Sequence, residues 1–400
     1  MSVHLPSLLV IAIVAVLAPL VAELPLGVRL PIVVLEVFFG TLVGPYVLHL
    51  ADATGVVGFL GRLGLAFLIF LAGLEIDFAA IRGRPAMLAA AGWGLSLVLA
   101  MGITAMLAAI GIVRAPLLVG VALTTTAMGT LLPVLRDAGE LETTLGRYLM
   151  AAGAAGEFGP IVVISLLFSE VHGSGVQTAL LIAFVAVSIL SAALALRLRT
   201  PKAVEFFART IHASSQLPVR ICILALIALL ALAEKLGLDM ILGAFAAGMV
   251  VNLASYGRRG VLLREKLDAI GFGFLVPMFF VTSGMRFDPS TLLGSPTAVL
   301  RLPLFLMLML LVRGVPTFLY RRDLGRRERW PFALLSATAL PLVVAIANVG
   351  LSTGRMFPEN AAALIGAGML SVLLFPTIAL VLRGVPLRRI SKGQPVLAEH

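Results

Sequence analysis

The chain has 400 residues, 60% of them hydrophobic and 12% charged, with a net charge of +10. That is too little polar surface for a soluble protein, so a lipid bilayer must be the solvent for about 13 spans of roughly 20 residues each. The basic residues sit between apolar runs rather than in patches interleaved with aromatics, which assigns the charge to membrane topology and excludes a nucleic-acid partner.

In chain order the apolar runs fall at 5–24, 30–50, 58–75, 86–111, 115–135, 148–169, 176–196, 218–234, 239–253, 268–285, 298–320, 331–352 and 360–382. Together they predict one transmembrane domain over 1–390 and a short cytoplasmic tail at 391–400. Met1 to Pro6 carry no basic stretch and no small-residue cleavage site follows, so the first run is expected to stay as a span. The single cysteine, Cys222, lies in an apolar run and excludes an intrachain disulfide. No nucleotide-binding regulatory module is expected in the chain. An odd number of spans puts the termini on opposite sides. With Arg62, Arg220 and Arg301, which stand near the starts of their runs, counted to the adjoining connections, Lys and Arg divide 23 to 6 between alternate connections, with Arg313 deep inside a run, for 30 in all. That asymmetry places the N-terminus outside and the C-terminus in the cytoplasm. Arg outnumbers Lys by 26 to 4, a bias of GC-rich bacterial genomes and so of a bacterial inner membrane.

An internal repeat runs through these spans. Gly73-Leu-Glu-Ile-Asp77 closes the third and Gly284-Met-Arg-Phe-Asp288 closes the tenth, 211 residues later. Gly27 and Gly40 around the second are echoed by Gly237 and Gly248 around the ninth. Thr125, in the Leu-Thr-Thr-Thr of the fifth, precedes Thr338 of the twelfth by 213. Each span resembles the one seven later, and because seven is odd the copies cross in opposite directions. An inverted repeat of this kind places a substrate site near the midplane, between copies. The expected fold is therefore an all-α polytopic membrane protein with inverted repeats.

Three charges lie well inside the runs: Glu36, Glu157 and Arg313. Burying a charge in lipid costs at least roughly 2.5–3.5 kcal/mol on insertion scales, so each is functional by default. Glu157 stands mid-span among Gly153, Gly156 and Gly159, which let neighbouring helices approach. A carboxylate there holds a proton or a cation, but not both, which is the minimal chemistry of an antiporter; the alternative is a structural partner for Arg313. Thr124, Thr125 and Thr126, followed by Gly129 and Pro133, predict a locally unwound helix whose carbonyls and hydroxyls suit a monovalent cation. Ser336, Thr338 and Pro341 form the matching set, so two discontinuous helices are expected to cross, unless the hydroxyls simply bond back to their own helices. Arg313 would offset their negative ends and the charge on Glu157, or else snorkel toward Arg321 and Arg322. Glu36 fits helix packing or a dimer contact, and otherwise the ion path. No phosphate loop, catalytic triad or metal-ligand spacing is present, so neither an enzyme nor a cofactor is expected beyond the transported Na⁺ or K⁺ and H⁺.

On these residues the sequence resembles the second branch of the monovalent cation:proton antiporters, which includes Na⁺/H⁺ exchangers and glutathione-gated potassium efflux systems. The likeness is carried by Leu30-Pro31 through Glu36 to Gly40 and Gly44-Pro45, by Phe67 to Asp77, and by Ala122 to Ala127. It continues in Val134 to Leu141, Gly146-Arg147, Leu242 to Gly248 and Pro277 to Met285. The resemblance implies a Na⁺/H⁺ antiporter-like fold, a homodimer with separate dimerisation and core domains, and a ligand hydroxyl at Thr126. The family's essential aspartate comes ten residues after the arginine at 147, where this chain has Glu157. Arg313 falls where the family carries a basic residue. The residue before the aspartate is usually Asp, Asn or Gln, and here it is Gly156. One carboxylate rather than two favours a one-for-one, electroneutral exchange. A gated K⁺ efflux pore and a non-transporting membrane sensor are the alternatives on the same fold.

Overall fold

The computed structural model describes residues 5–23, 31–75, 83–168, 184, 186–188, 190, 215–238, 240–255, 257–290, 294 and 296–384. The span expected at 176–196 (apart from isolated residues), Gly27, Asp77 and the tail at 391–400 lie outside them. Every described element is helical: α1 (Leu5–Ala22), α2 (Ile32–Val43), α3 (Gly55–Glu75), α4 (Arg84–Ala109), α5 (Pro116–Leu123), α6 (Met128–Asp137), α7 (Thr144–Phe168), α8 (Leu217–Lys235), α9 (Met240–Ala254) and α10 (Gly257–Ile270). A π-helical turn (Gly271–Leu275) runs into α11 (Val276–Met285). After it come α12 (Pro296–Gly314), a 3-10 turn (Val315–Tyr320), α13 (Arg326–Ser336), α14 (Pro341–Ser352) and α15 (Pro358–Leu382). Eight helical stretches among the described residues are long and apolar enough to cross a membrane.

The chain divides into two compact units, one of Thr54–Ile76 with Ile161–Phe279, the other of Ser2–Ala53, Asp77–Pro160 and Phe280–His400. In the first unit, α3 and α9 meet backbone to backbone. A Cβ on Gly248 would collide with the Phe70 carbonyl, and one on Gly73 would collide with the Phe245 carbonyl. In the second unit, α2 and α11 meet in the same way: Gly40 faces the Val281 carbonyl, and Gly284 faces the Val37 carbonyl. The two seams correspond residue for residue. Gly248 and Phe245 lie 208 positions after Gly40 and Val37, while Val281 and Gly284 lie 211 after Phe70 and Gly73. The repeat thus appears as two copies of one helix contact, in each of which the second helix of one half packs on the third helix of the other. Small residues let backbones approach this closely where lipid gives helices no hydrophobic reason to associate. Valine at Gly40 or at Gly248 is expected to cost about 1–3 kcal/mol of overpacking, read as a lower unfolding temperature in detergent.

The fifth and twelfth spans are each two helices rather than one. α5 ends at Leu123 and α6 starts at Met128; α13 ends at Ser336 and α14 starts at Pro341. Pro116 and Pro341 open α5 and α14 at the first turn, where a proline's missing N–H costs nothing. The first break falls on Thr124–Ala127 themselves. Gly129 and Pro133, expected to mark the unwound stretch, are inside α6. A proline within six residues of a helix start removes few intrahelical bonds and does not stop the helix.

At the end of the second unit where α4 begins, Arg84 donates to both oxygens of Asp323, at 2.6 and 3.0 Å, and the Tyr148 hydroxyl donates to Asp323 at 2.8 Å. The hydrogen bonds from Arg84 hold the Asp323 carboxyl below its usual range, against partial burial that pushes the other way. Because the folded-state value is depressed, this carboxylate stabilises the fold fully above its unfolded pKa. The contribution disappears as the pH falls through the depressed value. Wild type is expected to melt above Asp323→Asn at neutral pH, with the gap closing on acidification below about pH 4.

Candidate functional site

Two helices interrupted at mid-length leave backbone groups that each break must satisfy locally. In the first break the Thr124 and Thr125 hydroxyls turn back to the Val121 and Ala122 carbonyls of α5, both at 2.8 Å. Thr126 reaches outward instead. Its N–H donates to the Gly156 carbonyl at 3.1 Å, and its hydroxyl donates to the Ser336 carbonyl, the last of α13, at 2.6 Å. The Ala127 N–H donates to the Thr338 carbonyl at 2.8 Å, so the two breaks are joined directly. The Ser336 and Thr338 hydroxyls bond to the Ala333 and Leu334 carbonyls of their own helix. Ser371 of α15 completes the second break, accepting from the Ala339 N–H and meeting the Ala339 carbonyl, each at 3.0 Å.

The crossing has both a positive and a negative helix end, and an ionic side chain stands at each. Half-buried Glu157, on α7, accepts at Oε1 from the Met128 N–H, the first of α6, at 2.9 Å. A carboxylate at a helix N-terminus satisfies an orphan donor and complements the dipole. Arg313, 4% exposed, does the converse at the C-terminus of α13, donating to the Ser336 carbonyl at 3.2 Å. Its Nη2 also donates to the Thr126 hydroxyl at 2.8 Å and to the Ala152 carbonyl at 3.0 Å, so the guanidinium is buried at the crossing.

Gly156 explains how Arg313 fits. A Cβ there would fall 2.9 Å from Arg313 Nη2 and 2.8 Å from Thr126 Cβ. The space that a larger residue would fill before Glu157 is occupied by the guanidinium and the threonine. Gly153 packs on Met128 and Gly159 on the Trp93 indole in the same manner. The structure therefore brings Glu157, Thr125, Thr126, Arg313, Ser336 and Thr338 together around one crossing. Glu36, on α2 and 3% exposed, makes no hydrogen bond to any of the six among the described residues.

Chemically the crossing offers hard oxygen atoms. A hydroxyl has one proton and two lone pairs. Thr126 gives its proton to Ser336 and one lone pair to Arg313, leaving one; Thr125 gives its proton to Ala122. These lone pairs and a carboxylate such as that of Glu157 are hard ligands of the kind that hold alkali cations. Sequence reasoning missed Ser96 and Ser371. Ser96 donates to the Val312 carbonyl at 2.9 Å beside the Arg313 guanidinium. Each shares its mostly apolar run with a threonine, Thr104 and Thr377 respectively, so nothing local singled it out.

Two broken helices that hydrogen-bond to each other inside a multi-pass membrane protein, with an acid at one helix start and a base at one helix end, are an arrangement that many secondary-transporter folds share. The chain belongs to the sodium/hydrogen exchanger family: the model of that family's transmembrane region matches residues 11–382. It is 29% identical over 391 residues to YjbQ of Bacillus subtilis, covering 92% of this chain and 62% of that protein. Over 377 residues it is 24% identical to the Na⁺/H⁺-K⁺ antiporter GerN of Bacillus cereus, covering 92% and 93%. Cation/H⁺ antiporter 18 of Arabidopsis thaliana is 30% identical over 311 residues, 72% of this chain and 38% of that one. The chain thus spans less than two thirds of YjbQ and of the plant protein. Its structure superposes on the sodium proton antiporter MjNhaP1 of Methanocaldococcus jannaschii with a TM-score of 0.61, covering 97% and 99% of the two chains; at 17% identity this is a likeness of fold.

Proposed function

We propose that the protein exchanges a monovalent cation for a proton across the membrane through Glu157. The observation that carries this is the Glu157 carboxylate at the N-terminus of α6, where the two helix breaks meet. In one state the carboxyl holds the proton. When the proton leaves, the carboxylate and the Thr125 and Thr126 oxygens take the cation, and the cation must leave before the proton returns. Arg313 balances the charge, while Ser336 and Thr338 hold the second break. Because one carboxylate serves the site, the exchange is one-for-one and electroneutral.

Na⁺ and K⁺ are the cations favoured, a reading supported by relatives named for Na⁺/H⁺, Na⁺/H⁺-K⁺ and cation/H⁺ exchange. The same reading covers residues 1–390 as one transport domain, with a cytoplasmic tail at 391–400. The distribution of basic residues supports a bacterial inner membrane, with the N-terminus outside and the C-terminus inside. The protein works as a homodimer in lipid, with Glu36 serving helix packing.

Proteoliposomes holding an imposed pH gradient test the proposal. Adding Na⁺ or K⁺ should dissipate the gradient only when the protein is present. Cation flux without proton movement would point to a pore instead, and no response to Na⁺, K⁺ or Li⁺ between about pH 6 and 9 would remove antiport altogether.

A further inference from the structure

Between the 3-10 turn and α13 the chain reads Arg321-Arg322-Asp-Leu-Gly-Arg326-Arg327-Glu-Arg329-Trp330, with five arginines in ten residues. The stretch joins Val299–Tyr320 to Arg326–Ser352, two segments long and apolar enough to cross a membrane, so it stands where the bilayer meets water. Both of its acids are already engaged. Asp323 accepts from Arg84 and Tyr148, while Glu328 accepts from the Gly325 N–H at 2.9 Å and pairs with Arg383 at 3.4 Å. Arg329 is engaged as well. It donates to the Leu324 carbonyl at 3.3 Å and to the Arg321 carbonyl at 2.8 Å, which fixes the shape of the turn. Tyr320 and Leu324, both 2% exposed, root that turn in the core.

Arg321, Arg322, Arg326 and Arg327 remain, all four exposed. None of their side chains makes a hydrogen bond or an ion pair among the described residues; Arg322 adds to the field at Asp323, after the larger effect of the Arg84 hydrogen bonds. Apolar side chains flank them: Phe318 is 72% exposed, Trp330 68%, and Leu319 is also on the surface.

Four guanidinium groups on one short turn, with no acid left to neutralise them, attract anions. A guanidinium meets two phosphate oxygens with parallel hydrogen bonds. The flanking rings select which phosphate. Aromatic side chains at a membrane surface sit at headgroup level, so a lipid whose phosphate meets the arginines also covers Phe318 and Trp330. A second copy of this chain fits worse, since a symmetric contact here would set like charges face to face. Membrane topology alone requires only basic charge on one side. It does not account for a turn pinned by a fifth arginine, with both acids drawn off by Arg84 and Arg383. We propose that Arg321, Arg322, Arg326 and Arg327 form a binding site for the headgroups of anionic phospholipids.

The site has a direct connection to the crossing. α13 spans 11 residues, from Arg326 to Ser336, whose carbonyl accepts from Thr126 and Arg313. Lipid held at its first turn braces this half-helix, about 16 Å from the end that the crossing uses. The inference goes beyond the transport reading and does not depend on it.

The unfolding temperature of the purified full-length protein in neutral detergent tests the site. Phosphatidylglycerol added to the micelles should raise it, phosphatidylcholine should not, and the rise should shrink as salt screens the charges. Each arginine near an anionic surface contributes about fivefold in affinity, so Arg326→Gln with Arg327→Gln should weaken the phosphatidylglycerol response about 25-fold. Arg321→Gln with Arg322→Gln, outside α13, should weaken it equally, which separates lost binding from a frayed helix. Arg326→Lys with Arg327→Lys keeps the charges and should keep part of the response. Native mass spectrometry should find less phosphatidylglycerol retained on both glutamine pairs than on wild type. No response in wild type, or an undiminished one in either glutamine pair, would overturn the proposal. An equal rise with inorganic phosphate would also overturn it, by making the site one for a soluble anion.

Discussion

Replacing Glu157 by alanine should reduce cation-driven proton flux to the leak of empty vesicles, a loss of at least about 100-fold, because in the proposed exchange the group removed is the one that carries the proton. Alanine also takes away the acceptor of the Met128 N–H, so the result alone could be blamed on a frayed α6. Glu157→Gln separates the two causes. Its amide oxygen still accepts from Met128, so the crossing should stay folded and melt close to wild type, while neither proton nor cation can be exchanged. Glu157→Asp retains the carboxylate on a shorter stem, and should keep exchange with an altered apparent affinity for the cation. Transport by the glutamine variant at the wild-type rate would remove Glu157 from the mechanism.

Arg313→Met should be the most destabilising single substitution at the crossing. The guanidinium donates to the Ser336 carbonyl, the Ala152 carbonyl and the Thr126 hydroxyl, and the site is 4% exposed. Methionine fills much of the volume and donates nothing. Each polar group left without a partner in the interior costs roughly 1–3 kcal/mol, so a loss of about 3 kcal/mol or more is expected as a fall in unfolding temperature. Arg313→Lys keeps the charge as a single point and loses the planar fork that reaches three acceptors. It should recover part of the stability. Gly156→Ala presses on the same guanidinium from the other side and should be destabilising although it adds one carbon. An unfolding temperature unchanged by Arg313→Met would mean that the arginine does not hold the crossing together.

Much of this arrangement can be read from the sequence, because membrane burial makes polar residues conspicuous. The two Thr- and Ser-containing runs, the mid-span acid and the mid-span base all stand out against apolar neighbours, and the structure gathers them at one place. The exact position of the break was harder to read. Gly129 and Pro133 look like breakers, yet the helix resumes before both, because Thr124 and Thr125 cap α5 with their own hydroxyls and Glu157 receives the first N–H of α6. That capping acid lies 29 residues away, and local propensity contains no trace of it. Ser96 and Ser371 were missed for the same reason. The role of a single polar side chain depends on which orphan carbonyl or N–H faces it from another helix. Glu36 shows the opposite limit: conspicuous by burial, it makes no hydrogen bond to the six residues of the crossing among the described residues.

The matched glycine seams carry a consequence for how such a chain could have arisen. A contact that recurs when the halves trade places is what a dyad lying in the bilayer plane produces. Two separate half-length chains, inserted in opposite directions, would offer each other the same interface twice and would need no new chemistry to assemble. Joining them end to end would then free the copies to diverge, so that one acid, Glu157, could be kept in one half with no counterpart required in the other.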